Sequence, residues 1–372
     1  MGSTMYAEER HIASLAVQHA SLLTKSVMRS IKHVSKKDST PVTVADFAVQ
    51  ALLISTLSQA FPADNFLGEE SAAALREDAV LCQQVWELVS SSQKSLLQDE
   101  KGRTTTALVP PSSPEQMLEL IDRGGLGTGG RQGRTWIMDP IDGTATFIEG
   151  GQYAVAVALV EDGREVLGVV GCPNLALDLP RLESVPADDD GHGFVASAVR
   201  GDHGVLVQPI RPSGELPPGQ FIPSRRLSSQ PTADLNFVDS VLGEEYQLRQ
   251  AKKLATGLGC ASFPTTEIWS TQVRLVVMAL AGRDNMVQVR LPRPYSGGEE
   301  DPENYIWDYA GAHVILLESG GVASDLNGKE IDFGTGRRLS GNWGLIAASR
   351  PELQARLLGQ AREFCAGEAV KG

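Results

Sequence analysis

The feature that most constrains this chain is a short apolar run, Thr135-Trp136-Ile137-Met138, that ends abruptly in Asp139-Pro140-Ile141-Asp142-Gly143-Thr144. Residues 135–138 read as a buried strand. On an extended strand, residues three apart face opposite sides, and a turn at the strand end can bring Asp139 and Asp142 to one point. Gly143 lets the backbone pass close to a ligand. Thr144 opens a helical stretch, 144–148, whose free N–H groups suit a phosphate. Two carboxylates beside such a helix start make a hard-oxygen site, fit for Mg²⁺ rather than zinc. An acidic surface turn with a helix cap would use the same letters, so the motif alone leaves both readings standing.

The rest of the chain alternates helical and extended patterns. Apolar residues at mixed threes and fours (Ile12, Leu15, Ala16, Leu22, Leu23, Val27) predict an amphipathic helix over 6–31. A second begins at Asp46, with an N-cap role open to that residue, and a third covers 78–90. Strands are expected at 65–67, 153–160 and 166–171, the last two joined by the hairpin-like Glu161-Asp162-Gly163-Arg164. Further strands are expected at 193–199, 204–207, 235–238, 285–291 and 343–349. Helices are expected at 244–258, 272–281 and 305–319, the last stopped by Gly320-Gly321. The loop 180–193, with Asp188-Asp189-Asp190, and the Pro-rich 209–231 carry no regular pattern. Alternation of this kind favours α/β layering. A chain of 372 residues is long for one core. Two domains are expected, 1–207 and 208–372, the first with most of the acidic candidates.

Lys plus Arg total 33 against 46 Asp plus Glu, a net charge of −13. That balance argues against a nucleic-acid polymer or an anionic membrane as partner, since both need a basic face. The four cysteines form no CxxC pair, which fits a reducing compartment. No secretory pattern opens the chain, and no run reaches the roughly 20 apolar residues of a membrane span. A cytoplasmic monomer is the expectation.

Three more acidic positions join the first two. Glu69 lies in Leu67-Gly68-Glu69-Glu70-Ser71, Asp308 opens the 305–319 helix, and Asp46 follows Thr43-Val44-Ala45. A solvated loop, a dipole-favoured helix start and an N-cap would each explain one of them. Taken together and in order, Pro41-Val42-Thr43-x-x-Asp46, Gly68-Glu69-Glu70-Ser71, Asp139 to Thr144, and Trp307-Asp308-x-Ala310-Gly311 resemble the inositol monophosphatase superfamily. Within it the chain looks most like the fungal 3′(2′),5′-bisphosphate nucleotidases. Gly151-Gln152-Tyr153-Ala154-Val155, Thr271-Gln272-Val273-Arg274, Arg290-Leu291-Pro292 and Ile331-Asp332-Phe333-Gly334-x-Gly336-Arg337 carry that finer likeness.

The resemblance implies an αβαβα sandwich and Mg²⁺-dependent hydrolysis of a phosphomonoester, with lithium as an inhibitor. It implies that Glu69, Asp139, Asp142, Asp308 and the carbonyl of Ile141 hold two or three Mg²⁺ ions. Asp46 and Thr144 would place the attacking water. Gly143, Thr144, Thr271, Arg274, Arg290 and Asp308 would face the substrate, an adenosine 3′,5′-bisphosphate or its sulfated relative.

The departures from the family pattern cluster by charge. Ala145 stands where a lysine is expected, Glu149 where an arginine is, and Ser39 where another lysine is. The stretch 238–245 lacks the expected histidine and instead holds Asp239, Glu244 and Glu245. At 4 Å, one such change shifts a phosphate's binding by roughly 1–4 kcal/mol, so an inositol phosphate is an alternative substrate. A non-catalytic binding protein is an alternative of another class. Arg274 and Arg290 could equally be exposed arginines. Gly125-Leu126-Gly127-Thr128-Gly129-Gly130 matches GxGxxG but lacks the flanking strand and helix, and reads as a loop. His313 reads as a packing residue and Cys172 as structural.

Overall fold

Strand β3 (Ala154–Glu161) shows how the layers arise. Val155, Val157 and Leu159 enter one apolar core, and Ala154, Ala156, Ala158 and Val160 enter another. A strand buried on both faces reads as a continuous apolar run, and this one needs helices on both sides. In the computed structural model the described residues are 5–31, 40–96, 110–176, 193–212, 215–224, 235–241, 245–280, 285–291 and 304–369. Ser39, the 188–190 acidic run and Glu244 lie outside them.

The first sheet runs β1 (Asn65–Gly68), β2 (Arg134–Asp142), β3, β4 (Arg164–Cys172), β5 (Phe194–Val199), β6 (Gly204–Pro209) and β7 (Gln220–Pro223), in that spatial order. Its β1–β2 pair is parallel and the others are antiparallel. Its first face packs on α1 (Ala7–Ile31) and α2 (Thr40–Ala60), with α4 (Ala79–Leu96) and α5 (Pro114–Gly125) behind them. The short α3 (Ala73–Glu77) packs on α4, and α6 (Thr144–Ile148) follows β2.

The second face packs on α8 (Thr271–Leu280) and α9 (Ala310–Glu318), both apolar nearly all round and buried. Beyond them lies the second sheet. It contains β8 (Asn236–Asp239), β9 (Thr266–Glu267), β10 (Met286–Arg290), β11 (Val322–Ser324) and β12 (Leu345–Ala348), ordered β11-β12-β10-β8-β9. A third core joins this sheet to α7 (Glu245–Gly257) and α10 (Pro351–Ala369). The expected five-layer αβαβα sandwich is therefore observed.

A glycine contact seats the middle layer. A Cβ on Gly168 of β4 would stand 2.0 Å from the carbonyl oxygen of Gly311 on α9. No larger side chain lets that helix reach the sheet, and this approach carries the adjoining Asp308 inward.

Several local expectations need correction. Strand β2 does not stop at Met138 but continues through Asp142. Helix α2 starts at Thr40, so Asp46 lies inside it rather than capping it. Pro41 falls in the first turn, where its missing N–H costs nothing. The 305–319 helix is broken: a 3₁₀ turn, Ile306–Asp308, precedes α9. Strand β7 lies inside the Pro-rich stretch and extends the first sheet past residue 207; as the last strand of that sheet it can end on Pro223. Residues 42–60 are also apolar and long enough to cross a membrane, but that window is 83% buried as a core helix.

Candidate active site

Register explains how Asp139 and Asp142 meet. Asp139 pairs with Ala156 and Asp142 with Ala154, so three residues on β2 span two on β3. The extra residue is a β-bulge. Directly opposed residues share a face, and Ala154 and Ala156 both enter the middle core. Both carboxylates therefore point the same way, achieved by a bulge rather than a chain reversal. Gly143 follows in the left-handed region at φ 96° and caps α6.

Strand β1 runs parallel to β2 with Gly68 opposite Met138, which delivers Glu69 beside Asp139. Asp46, from α2, is buried. Burial, then Glu70 and Glu69, raise its pKa well above the carboxylate range. Asp139 is raised by burial and by Glu69, Asp142, Asp308 and Asp46. Asp308 is raised by burial, Asp142 and Glu69. Glu69 is exposed, yet desolvation, Glu70 and Asp142 push it up to about 7. Five predicted site carboxylates thus share one electrostatic neighbourhood.

Asp139 Oδ1 is buried and has no hydrogen-bond partner among the described residues. Buried charges are paired or coordinate metals, and an acceptor-only oxygen amid like charges suits a cation. The donor set, all oxygen, fits Mg²⁺. Among the described residues no three His, Cys, Asp or Glu side chains are gathered into a ready ion cage. Asp142 turns Oδ2 instead to Ser270 Oγ at 2.6 Å and to the Gln272 N–H at 2.5 Å, at the start of α8. These bonds hold its pKa down against burial, though it stays raised. Thr144 Oγ1 donates to the Ile141 carbonyl at 3.2 Å, tying together two of the expected site groups. Thr144 and Ala145 are exposed.

The expected substrate-facing arginines separate. Arg274 is 1% exposed and is committed inward. Its Nη1 donates to Asp239 Oδ1 at 2.6 Å, and Nη2 donates to Thr271 Oγ1 at 3.0 Å and to the Trp269 carbonyl at 3.2 Å. It is neither a free anion anchor nor an exposed arginine, and Thr271 is engaged as its acceptor. Asp239, expected as a repulsive charge, is half of this buried ion pair. Arg290 is only partly covered. Burial opposes its charge, but Tyr309, Asp239 and Asp308 outweigh that and hold its pKa above the ordinary value. It stands beside Asp308.

A model of the inositol monophosphatase family matches residues 6–365. The chain belongs to this family. It is 38% identical to a 3′(2′),5′-bisphosphate nucleotidase of Schizosaccharomyces pombe over 91% of both chains. It is 36% identical to that of Emericella nidulans, over 93% of this chain and 95% of the relative. The fold is similar to that of an inositol monophosphatase from Zymomonas mobilis, with a TM-score of 0.54, 18% identity, and 97% and 100% of the two chains covered. Inositol monophosphatase II of Staphylococcus aureus gives a TM-score of 0.53 at 17% identity, covering 92% and 88%.

In this member of the inositol monophosphatase family, three residues near the carboxylates escaped the site expected from sequence. Glu70 is the first charged neighbour acting on Asp46; its place beside Glu69 was the available signal. Gln50 is buried one helical turn beyond Asp46 on α2. It donates from Nε2 to the Glu70 carbonyl at 2.6 Å and accepts the Glu70 N–H at 2.9 Å. The i, i+4 spacing from Asp46 was the only hint. Gln272 is the third; its identity is ordinary for a helix and its partners are distant in sequence. His313 donates from Nδ1 to Glu165 Oε1 at 2.9 Å, buried in the middle core as expected of a packing residue. Cys172 is buried and unpaired.

Proposed function

We propose that the chain is a Mg²⁺-dependent phosphomonoesterase that removes the 3′(2′)-phosphate of an adenosine 3′,5′-bisphosphate. The reading is carried by the bulge that turns Asp139 and Asp142 to one side, toward Glu69 and Asp308. The names of the curated relatives support the substrate.

Glu69, Asp139, Asp142, Asp308 and the Ile141 carbonyl would hold two or three Mg²⁺ ions. When bound, such ions neutralise phosphoryl charge, acidify water and ease departure of the sugar oxygen. Thr144 has one hydroxyl proton to donate and lone pairs to accept. It would leave its bond to Ile141 to orient water, with Asp46 as the buried proton acceptor. Gly143 lets the backbone come close to the phosphate. Arg290 would meet a second negative group of the substrate, while Arg274 supports the wall from behind. The ester bond would break by direct attack of water, with no covalent enzyme intermediate.

A second reading, an inositol phosphate substrate, is favoured by the Asp239–Arg274 pair, which withdraws one cation from the ligand side. Phosphate release by the purified chain separates the two. Adenosine 3′,5′-bisphosphate should be hydrolysed faster than inositol mono- and bisphosphates; equal or slower turnover removes the nucleotide reading. A purely binding role would be indicated by no turnover of any phosphate ester.

A further inference from the structure

Arg337 lies far from the acidic motifs in sequence, but in space it touches the segments that carry two of them. Its Nη2 donates to the carbonyl of Gly68 at 2.9 Å, the residue immediately before Glu69. Its Nη1 donates to the carbonyls of Gly125 and Gly127, both at 3.0 Å. Its guanidinium lies 4.7 Å from the ring centroid of Trp307, the residue immediately before Asp308. Its own carbonyl accepts the N–H of Ile306 at 3.1 Å, where the Asp308 turn begins.

The glycine run that resembles a nucleotide fingerprint has a use here. A Cβ on Gly127 would stand 2.0 Å from the Phe66 carbonyl oxygen, and one on Gly125 would stand 2.2 Å from that of Glu70. The loop thus lies directly against the backbone of β1 and the Glu69–Glu70 turn, and its carbonyls face one guanidinium. A planar fork with five donors can serve three carbonyls while stacking on an indole; an ammonium cannot. Gln50 holds the same turn from the opposite side through Glu70.

We infer that Arg337 is a positioning residue for the Mg²⁺ site, fixing the Glu69 turn against the Asp308 turn. The inference rests on the reading that these carboxylates hold Mg²⁺. Arg337 acts through the backbone of the Glu69 turn and the start of the Asp308 turn, and sets how far apart the two stand.

The test uses the full-length chain and three variants: Arg337→Ala, Arg337→Lys, and Arg131→Ala as a control that removes an exposed ion pair with Asp332 on the neighbouring segment. Mg²⁺ binding is read without substrate by calorimetric titration and by the metal-dependent shift in thermal unfolding, and then as the Mg²⁺ dependence of phosphate release. Both Arg337 variants should weaken Mg²⁺ binding at least roughly ten-fold, while Arg131→Ala binds as wild type. Lysine should not rescue, because it keeps the charge but loses the fork. At saturating Mg²⁺ the substrate KM should be unchanged. Variants that melt lower but bind Mg²⁺ with wild-type affinity would overturn the inference and leave Arg337 a plain stability residue. If Arg337→Ala fails to fold, Arg337→Lys decides by the same measurement. A wild-type chain that shows no Mg²⁺ binding removes the metal reading itself, a distinct result that takes the inference with it.

Discussion

Gln272 joins Asp142 to the Asp308 turn: its N–H donates to Asp142 Oδ2 at 2.5 Å while its side chain reaches past Asp308 on both sides. Nε2 donates to the Trp307 carbonyl at 2.6 Å, and Oε1 accepts the Ala312 N–H at 2.7 Å. One buried residue at the start of α8 thereby links a carboxylate of the first sheet to the turn that begins α9. The carboxylates are positioned by such bonds to the backbone around them, from Gln272, Gln50 and Arg337, more than by bonds among themselves.

Asp139→Asn should abolish turnover and remove most of the Mg²⁺-dependent rise in melting temperature. It should leave the metal-free protein at least as stable as wild type, because it deletes a buried charge with an orphaned oxygen. Thermal unfolding in chelator and in saturating Mg²⁺ checks both halves; at a hundred times Kd, wild type should gain about 2.7 kcal/mol. A variant that is much less stable in chelator would mean that Asp139 has a structural partner.

The metal-free protein should lose stability as pH rises. Burial raises Asp46, Glu69, Asp139, Asp142 and Asp308 above their ordinary values, and repulsion from neighbouring carboxylates adds to it at all but Asp142. The native state therefore holds more protons than the unfolded state between the ordinary and the raised values, and stability is lost as pH climbs through the raised ones. For Glu69 that window runs from the ordinary value of 4.5 to about 7. Melting in chelator should be higher at about pH 5 than at about pH 8, and Mg²⁺ should flatten the difference.

Asp239→Asn should cost about 3–5 kcal/mol of unfolding free energy, since it leaves the buried Arg274 without its counter-charge. Chemical denaturation measures this directly. A loss below about 1 kcal/mol would mean that the pair behaves like an exposed one.

Thr144→Ala should lower kcat by roughly 10²–10⁴-fold, the range expected when a proton-transfer or water-orienting group is lost. Among the described residues the exposed hydroxyl bonds only to the Ile141 carbonyl, so melting temperature and Mg²⁺ affinity should change little. Steady-state kinetics beside a Mg²⁺ titration separates the two effects.

The chemistry of the site was legible because its letters are local. Asp139, Asp142, Gly143 and Thr144 are neighbours, and Glu69 and Asp308 each sit in a short recognisable context. Geometry that depends on a partner element was not. The bulge exists only as a mismatch between β2 and β3, so a strand end and a turn were the natural expectation from β2 alone. The fate of Arg274 depends on Asp239, 35 residues away, and an arginine on a helix carries no mark of burial. Arg337 and the glycine run at 125–130 looked unrelated, because a guanidinium facing backbone carbonyls needs no particular side chain on the other side.

The bulge between Asp139 and Asp142 also governs how this segment can drift over generations. Pro140 and Ile141 can vary in identity, within limits of size, because the two aspartates keep their common face whichever residues separate them. Deleting one of the two would leave the aspartates two apart, a spacing that keeps their common face on a regular strand with no bulge at all. Inserting one while the bulge is kept would send Asp142 to the opposite face, toward the apolar core beneath α2. In this segment the spacing of the aspartates and the bulge can change only together.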